Sequence, residues 1–336
     1  MLSVIIVNYN SGPRLARCLA HLSRQRFRDF ETIVFDNASQ DGSIALGREV
    51  DPHARYLISA ENVGFAAGNN RAAAAANGDW VVFLNPDAYA EPDWLEKLAA
   101  GAVAYPHADA FGSAQFNAED PSRLDGVGDV MHILGIAYRG GFGRPVASLP
   151  GDGECFSPCA AAAMYRKSVF DALGGFDETF FCYGEDVDLG FRLRLAGGRA
   201  VQLSSAQVMH EGSGITGRHS DFSVYYGHRN RIWLVRKNFP AAFFWVGLPC
   251  RMLLDCAILA RLAMIGKFGA ASRALYNGYF GGGAIRRNSR LLRKNRSLTL
   301  GELSSMLAWS PLSLLLREAK LRPACPKSEK QIESES

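Results

Sequence analysis

The first hundred residues of the chain alternate short, largely apolar runs with segments of helical spacing, and each apolar run ends on a polar cluster. Residues 2–7 (LSVIIV) form the first run. Ser11 and Pro13 then give cap and first-turn signals for a helix whose apolar positions Leu15, Cys18, Leu19 and Leu22 recur at the right interval. Residues 32–35 predict a second strand that runs into Asp36-Asn37-Ala38-Ser39. Residues 56–58 predict a third, ahead of Glu61-Asn62-Val63-Gly64 and an Ala-rich helix reaching about Ala76. Residues 80–84 (WVVFL) predict a fourth, which stops at Asn85-Pro86-Asp87. Strands and helices in strict alternation predict an α/β fold, Rossmann-like, with a mostly parallel central sheet flanked by helices. Ligands of such sheets bind beyond the carboxyl ends of the strands. Asn8, Tyr9, Asn10, Asp36, Asn85 and Asp87 all stand at that edge and outline a site.

The remainder is less regular. Residues 111–158 are rich in Gly, Asp and Pro and predict mostly loops. A helical pattern returns through Gly184-Glu185-Asp186-Val187-Asp188-Leu189, and Gly197-Gly198 ends it. Beyond Phe222 the pattern is mainly helical to about Arg317, broken at Gly281-Gly282-Gly283, and the polar residues 326–336 read as a disordered tail. At 336 residues, 48% of them apolar, the chain can bury one large core or two modest ones. Seven irregularly spaced Cys residues build neither a disulfide framework nor a zinc site, so inert thiols in a reducing compartment are expected. Met1 leads straight into the first apolar run with no basic leader, so a signal peptide is not expected.

Charge divides the chain. Residues 1–230 carry 19 Lys and Arg against 27 Asp and Glu, a balance of −8, whereas residues 231–336 carry 18 against 6, a balance of +12. A basic end suggests an anionic partner, either nucleic acid or lipid. Residues 241–265 are apolar enough to raise the question of a membrane span, but Arg251, Asp255 and Arg261 interrupt them. The stretch therefore lies on a membrane or in a core. Arg286, Arg287, Arg290, Arg293, Lys294 and Arg296 follow, a run that would contribute about 1 kcal/mol per residue near an anionic leaflet. A subunit interface is the alternative cover for the apolar residues, which makes a homo-oligomer a possible partner.

In order along the chain stand Val4-Ile5-Ile6-Val7-Asn8-Tyr9-Asn10, Asp36-Asn37-Ala38-Ser39, Glu61-Asn62-Val63-Gly64-Phe65, Asn85-Pro86-Asp87, Gly174-Gly175-Phe176-Asp177-Glu178, Glu185-Asp186-Val187-Asp188-Leu189 and His210. The set resembles the family 2 glycosyltransferases, whose fold is GT-A, over residues 2–237. Asn85-Pro86-Asp87, the Asp125-Gly126 loop and Tyr225-Tyr226 with Arg229-Asn230-Arg231 narrow the resemblance to bacterial rhamnosyltransferases. The resemblance implies a GT-A domain over 1–237, and the composition beyond it predicts a basic helical region over 238–325 that associates with membranes or oligomerises. It implies an inverting enzyme that moves a sugar, rhamnose from dTDP-rhamnose, from a nucleotide-diphosphate donor to an acceptor hydroxyl on a glycan or lipid-linked glycan of cell-surface polysaccharide synthesis. The implied location is cytoplasmic, peripheral on the inner face of the inner membrane.

Each chemical task then has candidates. Asn8, Tyr9, Asn10, Asp36, Asn62, Asn69, Asn85 and Asp87 would bind the donor, with Tyr9 stacking on the base and Asp36 accepting from its ring N–H. Asp87 and His210 would hold Mg²⁺ or Mn²⁺, which offsets charge on the leaving diphosphate. Asp186, supported by Glu185, would be the general base at a helix N-terminus, where the dipole favours ionised carboxylates. Spacing alone does not tell which of the two faces substrate. Glu185, Asp188 and Cys159 would meet the acceptor. A donor sugar on UDP or GDP is the alternative within the class. A sugar-phosphate nucleotidyltransferase would carry a Gly-rich basic loop after the first strand, which Asn8-Tyr9-Asn10-Ser11-Gly12 lacks, and nucleic acid is not the expected partner.

Overall fold

A computed structural model of the chain describes residues 1–212, 220–283, 285 and 298–325. The basic run 286–296 and the tail 326–336 lie outside the described residues.

The expected strands are all present. β1 (Leu2–Asn8), β2 (Phe30–Asp36), β3 (Arg55–Ile58) and β4 (Trp80–Leu84) pair in parallel in the order β3-β2-β1-β4. Between them run α1 (Pro13–Ser23), α2 (Ser43–Val50) and α3 (Gly64–Ala74). Alternation along β1 explains its uninterrupted apolar run. Leu2, Val4 and Ile6 pack on one face with Leu15, Leu19 and Leu22 of α1, whereas Ile5 and Val7 pack on the other with Ala66 and Ala72 of α3.

Residues 111–158 are mostly loops as expected, but the expectation misses the strands among them. After β5 (Ala88–Ala90) and α4 (Trp94–Ala104), β6 (Ala110–Asn117) is an interior strand with seven of its eight residues buried. Its Gly112, Ser113 and Gln115 dilute the apolar pattern, but they are buried by sheet neighbours on both sides. β7 (Leu124–Gly126) pairs with β6, and β8 (Asp129–Met131) and β9 (Ala137–Arg139) form a separate hairpin. β10 (Gly153–Glu154) and β11 (Ala162–Arg166) follow, and β11 enters antiparallel between β4 and β6. The sheet is thus parallel in its N-terminal half and mixed beyond β4. β12 (Ala200–His210) completes it, parallel to β6 and antiparallel to β5.

Two helices fix the second half. α5 (Lys167–Ala172) covers β11, and α6 (Glu185–Leu195) is buried on two sides. Its Leu189 and Leu193 join the core under the sheet, whereas Val187, Phe191 and Leu195 pack on Trp233 and Leu234 of α7 (Asp221–Asn238). α8 (Ala241–Met264), α9 (Phe268–Phe280), α10 (Leu300–Met306) and α11 (Pro311–Leu315) follow, in line with the helical expectation. The chain then returns to the body, where Arg322 pairs with Glu154 of β10.

The α6–α7 contact contains a closed network of buried charges. Asp188 is wholly buried and accepts from Arg192 Nε at 2.8 Å, Lys237 Nζ at 2.7 Å and Asn238 Nδ2 at 2.8 Å, and Lys237 also reaches Asp177 at 2.7 Å. Removing one partner of such a set leaves buried charge without compensation. Asp188→Ala should lower the unfolding free energy by about 3–5 kcal/mol in urea titrations. A loss below about 1 kcal/mol would show that the network carries little of the stability.

Candidate active site

The carboxyl ends of β1 and β4, the N-terminus of α6 and the β8–β9 hairpin enclose a cavity of about 920 Å³. Tyr9, Asn62, Asn85, Asp87, Cys159, Glu185, Asp186 and His210 line it. Eight of the thirteen residues singled out from sequence therefore share one space.

One wall is a chain of buried ionisable groups. Register places His210 of β12 opposite Ala88 of β5, and so beside Asp87. His210 Nε2 lies 3.4 Å from Asp87 Oδ1, and its Nδ1 lies 2.7 Å from Asp125 Oδ2 on β7. Arg139 of β9 closes the chain by donating to Asp125. Burial pushes the Asp87 carboxyl up, but hydrogen bonding and charge from His210 outweigh it and hold it below its ordinary value. Burial would lower the His210 imidazole, yet its hydrogen bonds to Asp125 and Asp87 raise it to about 9. A carboxylate on one imidazole nitrogen orients the other, an arrangement recurrent behind metal-ligating histidines. Asn85 Oδ1 is buried without a hydrogen-bond partner among the described residues. Asp87, His210 Nε2 and that amide oxygen form an oxygen- and nitrogen-rich donor set that suits Mg²⁺ or Mn²⁺.

The opposite wall is acidic. Gly184 takes a left-handed φ of 83° as the N-cap of α6, which turns the chain so that Glu185 and Asp186 both face the cavity. Asp186 accepts from the backbone N–H of Ala160 at 3.2 Å and of Val187 at 2.8 Å. Burial raises its pKa and these N–H groups pull it back. For Glu185, burial and the Asp186 charge outweigh its own backbone N–H and push it well up, and its Oε2 has no partner among the described residues. Asp129 of β8 is likewise pushed well up by burial and by Asp186. All three carboxyls are raised by burial, and Asp186 is the one that the Ala160 and Val187 N–H groups pull back toward the ionised form. Asp129, Cys159 and Asp186 also place ligand atoms within 4.8 Å of one another. Burial and the two carboxylates keep the Cys159 thiol protonated, so this cluster is a poorer cation site than the Asp87 corner.

The loop leading into α6 is held from α7. Asn230 Nδ2 donates to the carbonyls of Phe180 (2.9 Å), Cys182 (2.8 Å) and Tyr183 (2.7 Å), and Arg229 Nη2 donates to Phe180 at 3.0 Å. The Arg229 guanidinium itself lies 4.0 Å from the Trp233 ring centroid. These bonds stabilise positive φ at Phe181 (65°) and Tyr183 (71°), which side chains otherwise disfavour.

Five expected site residues do not line the cavity. Asn8 is buried, and its amide is spent on Asp36, Ser39 and Ser43, each within 3.0 Å, while its Oδ1 accepts from Ser11. Asp36 accepts from Asn8 and from Ser39 N, and Asn10 accepts from Gln40 N at 2.8 Å. Asn69 donates to Phe65 O within its own helix. These four make hydrogen bonds within the loops and helix behind Tyr9 and Asn62. Asp188 is turned away into the Arg192–Lys237–Asn238 network and cannot reach an acceptor. Asp129 and Arg139 supply functional groups that were not selected as site residues, and Asp125, whose loop was expected as a wall for the acceptor, bonds His210.

The model of "Glycosyl transferase family 2" matches residues 3–174, half of the chain. The chain belongs to glycosyl transferase family 2. Among relatives of this family 2 transferase, an N-acetylglucosaminyl-diphospho-decaprenol L-rhamnosyltransferase of Mycobacterium tuberculosis is 34% identical over 252 residues, covering 65% of this chain and 78% of that one. Among solved structures, GalNAc-T7 with UDP, GalNAc and Mn²⁺ superposes with a TM-score of 0.58 at 14% identity, covering 70% of this chain and 48% of that one. The mannosyltransferase PcManGT of Pyrobaculum calidifontis, with GDP-Man and Mn²⁺, gives 0.52 at 19% identity, covering 88% and 86%. These likenesses show the fold.

In this family 2 transferase Asp125 touches no expected ligand, yet it orients His210. Asp125→Asn should weaken Mn²⁺ affinity about 10–100-fold by calorimetric titration, the usual cost of losing such a partner. Unchanged affinity would remove His210 from the metal.

Proposed function

We propose that this enzyme transfers rhamnose from dTDP-rhamnose to a hydroxyl of a lipid-linked glycan, with inversion at the anomeric carbon. The observation that carries the reading is that the Asp87–His210–Asp125 chain and the Asp186 carboxylate open onto the same cavity. The relative named for L-rhamnosyl transfer to a decaprenyl diphosphate glycan supports both donor and acceptor class.

Tyr9, 42% exposed at the cavity edge, is free to stack on the base. A divalent cation held by Asp87 and His210 would offset the charge that develops on the leaving diphosphate. Arg139 adds a fixed positive charge to the same wall. Asp186 takes the proton from the acceptor hydroxyl as its oxygen bonds to the anomeric carbon, and the bond to the diphosphate oxygen breaks on the opposite face. Inversion follows from a single displacement. A double displacement needs a second ionised carboxylate as nucleophile, and burial disfavours the ionised form of Glu185 and Asp129. A second reading, a hexose carried on UDP or GDP, draws on the solved neighbours that hold UDP and GDP-Man.

Asp186→Asn should lower kcat by about 10²–10⁴-fold with donor affinity retained, because only the proton acceptor is lost. Wild-type turnover would exclude Asp186 as base. A thermal-shift panel of dTDP-, UDP- and GDP-sugars with Mn²⁺ or Mg²⁺ decides the donor. The true donor at about a hundredfold its Kd stabilises by about 2.7 kcal/mol. A shift with UDP- or GDP-sugars alone would replace rhamnose.

A further inference from the structure

α8 has the polarity of a soluble helix turned inside out. Arg251 and Asp255 are buried together with Leu262, the two charges 3% and 4% exposed, whereas Trp245 is 66%, Val246 82%, Leu253 72% and Met264 81% exposed. Each inward charge is matched. Asp255 pairs with Arg231 of α7 and accepts from the Tyr279 hydroxyl of α9, and Arg251 donates to the Phe244 carbonyl. At about 100° per residue, the exposed positions from Trp245 to Met264 other than Arg261 fall on one arc roughly 160° wide. That arc holds no Asp, Glu, Lys or Arg, and the exposed Arg261 extends it by one charged position at its edge. Phe268, Tyr276 and Phe280 add exposed apolar surface on the neighbouring α9.

Three features identify what covers this face. α8 is long and apolar enough to cross a membrane, and little of it is buried, which separates it from a core helix. Its opposite side carries Arg251 and Asp255 packed on α7 and α9, so lipid can surround only the outer arc, and the helix lies along the interface instead of spanning it. An uncharged arc of this width exceeds the narrow seam that a partner helix covers, and Trp at its start suits a membrane interface. Charge agrees, since residues 231–336 carry 18 Lys and Arg against 6 Asp and Glu. We infer that α8 is a monotopic docking helix that seats the enzyme on the surface of an anionic phospholipid bilayer. Ile258 of the same helix lines the active-site cavity. Docking therefore brings the cavity wall within about one helix diameter, 10–12 Å, of the lipid.

The test uses the full chain with vesicles of phosphatidylcholine alone or with a quarter phosphatidylglycerol. Cosedimentation should be strong on the mixed vesicles, weaker on the neutral ones, and reduced roughly tenfold or more by W245E/V246E/L253E. Light scattering after size exclusion is read on both proteins. Two results would overturn the inference: equal vesicle binding by the triple variant, or a wild-type dimer that ignores vesicles and becomes monomeric on substitution, which would make the face a contact between copies. Should the triple variant misfold, a polarity-sensitive dye on Cys250 and Cys256, both exposed on unsubstituted α8, decides in a C325S chain. A blue shift on adding mixed vesicles supports docking, and an unchanged spectrum refutes it.

Discussion

The site depends on charge compensation away from water. Asp87, His210, Asp125 and Arg139 alternate in sign, and each is supplied by a different element of the sheet or its hairpin. An isolated buried carboxylate would protonate and lose its use for binding cations. In series, each charge lowers the cost of burying the next. The same alternation ties together strands that are distant in sequence, so that fold and electrostatics are specified at once. A second series, Asp177–Lys237–Asp188–Arg192, does this between α6 and α7 and holds the helix that presents Asp186.

How much of this could be read from sequence varied with physical cause. The strands β1, β2 and β4 were legible because their buried positions fall on both faces, which forces an apolar run that few alternatives explain, whereas the edge strand β3, with no residue buried, was legible from its place in the alternation. β6 was not, because Gly112, Ser113 and Gln115 sit in an interior strand whose burial comes from partners far along the chain. Polar residues at strand ends were located correctly as a group, but location did not fix orientation. Tyr9 and Asp87 look into the cavity, whereas Asn8 and Asp36 turn to each other. Asp188 shows the limit most clearly. It lies two residues from Asp186, and at helical spacing it points to the other side of α6, where Lys237 and Asn238 await it. Arg139 and Asp129 carried no local signal, because only the tertiary placement of the β8–β9 hairpin brings them to the site.

α7 links the two parts of the molecule. One face, through Arg229 and Asn230, fixes the carbonyls of the loop before α6, and another, through Arg231, receives the inward charge of α8. The Arg229-Asn230-Arg231 run thus divides between the chemistry and the apolar helix, which explains three consecutive polar residues in an otherwise packed helix.

Gly64 ends the loop that carries Asn62, with φ at 87°, and a β-carbon there would come within 2.5 Å of the Phe181 ring. Ala66 N–H donates to the Phe181 carbonyl at 3.2 Å. The segment that carries Asn62 and the segment that aims Glu185 and Asp186 consequently behave as a single mechanical part. Grafting the 61–64 loop of another transferase would displace Asp186 with it, so the two segments have to be exchanged together.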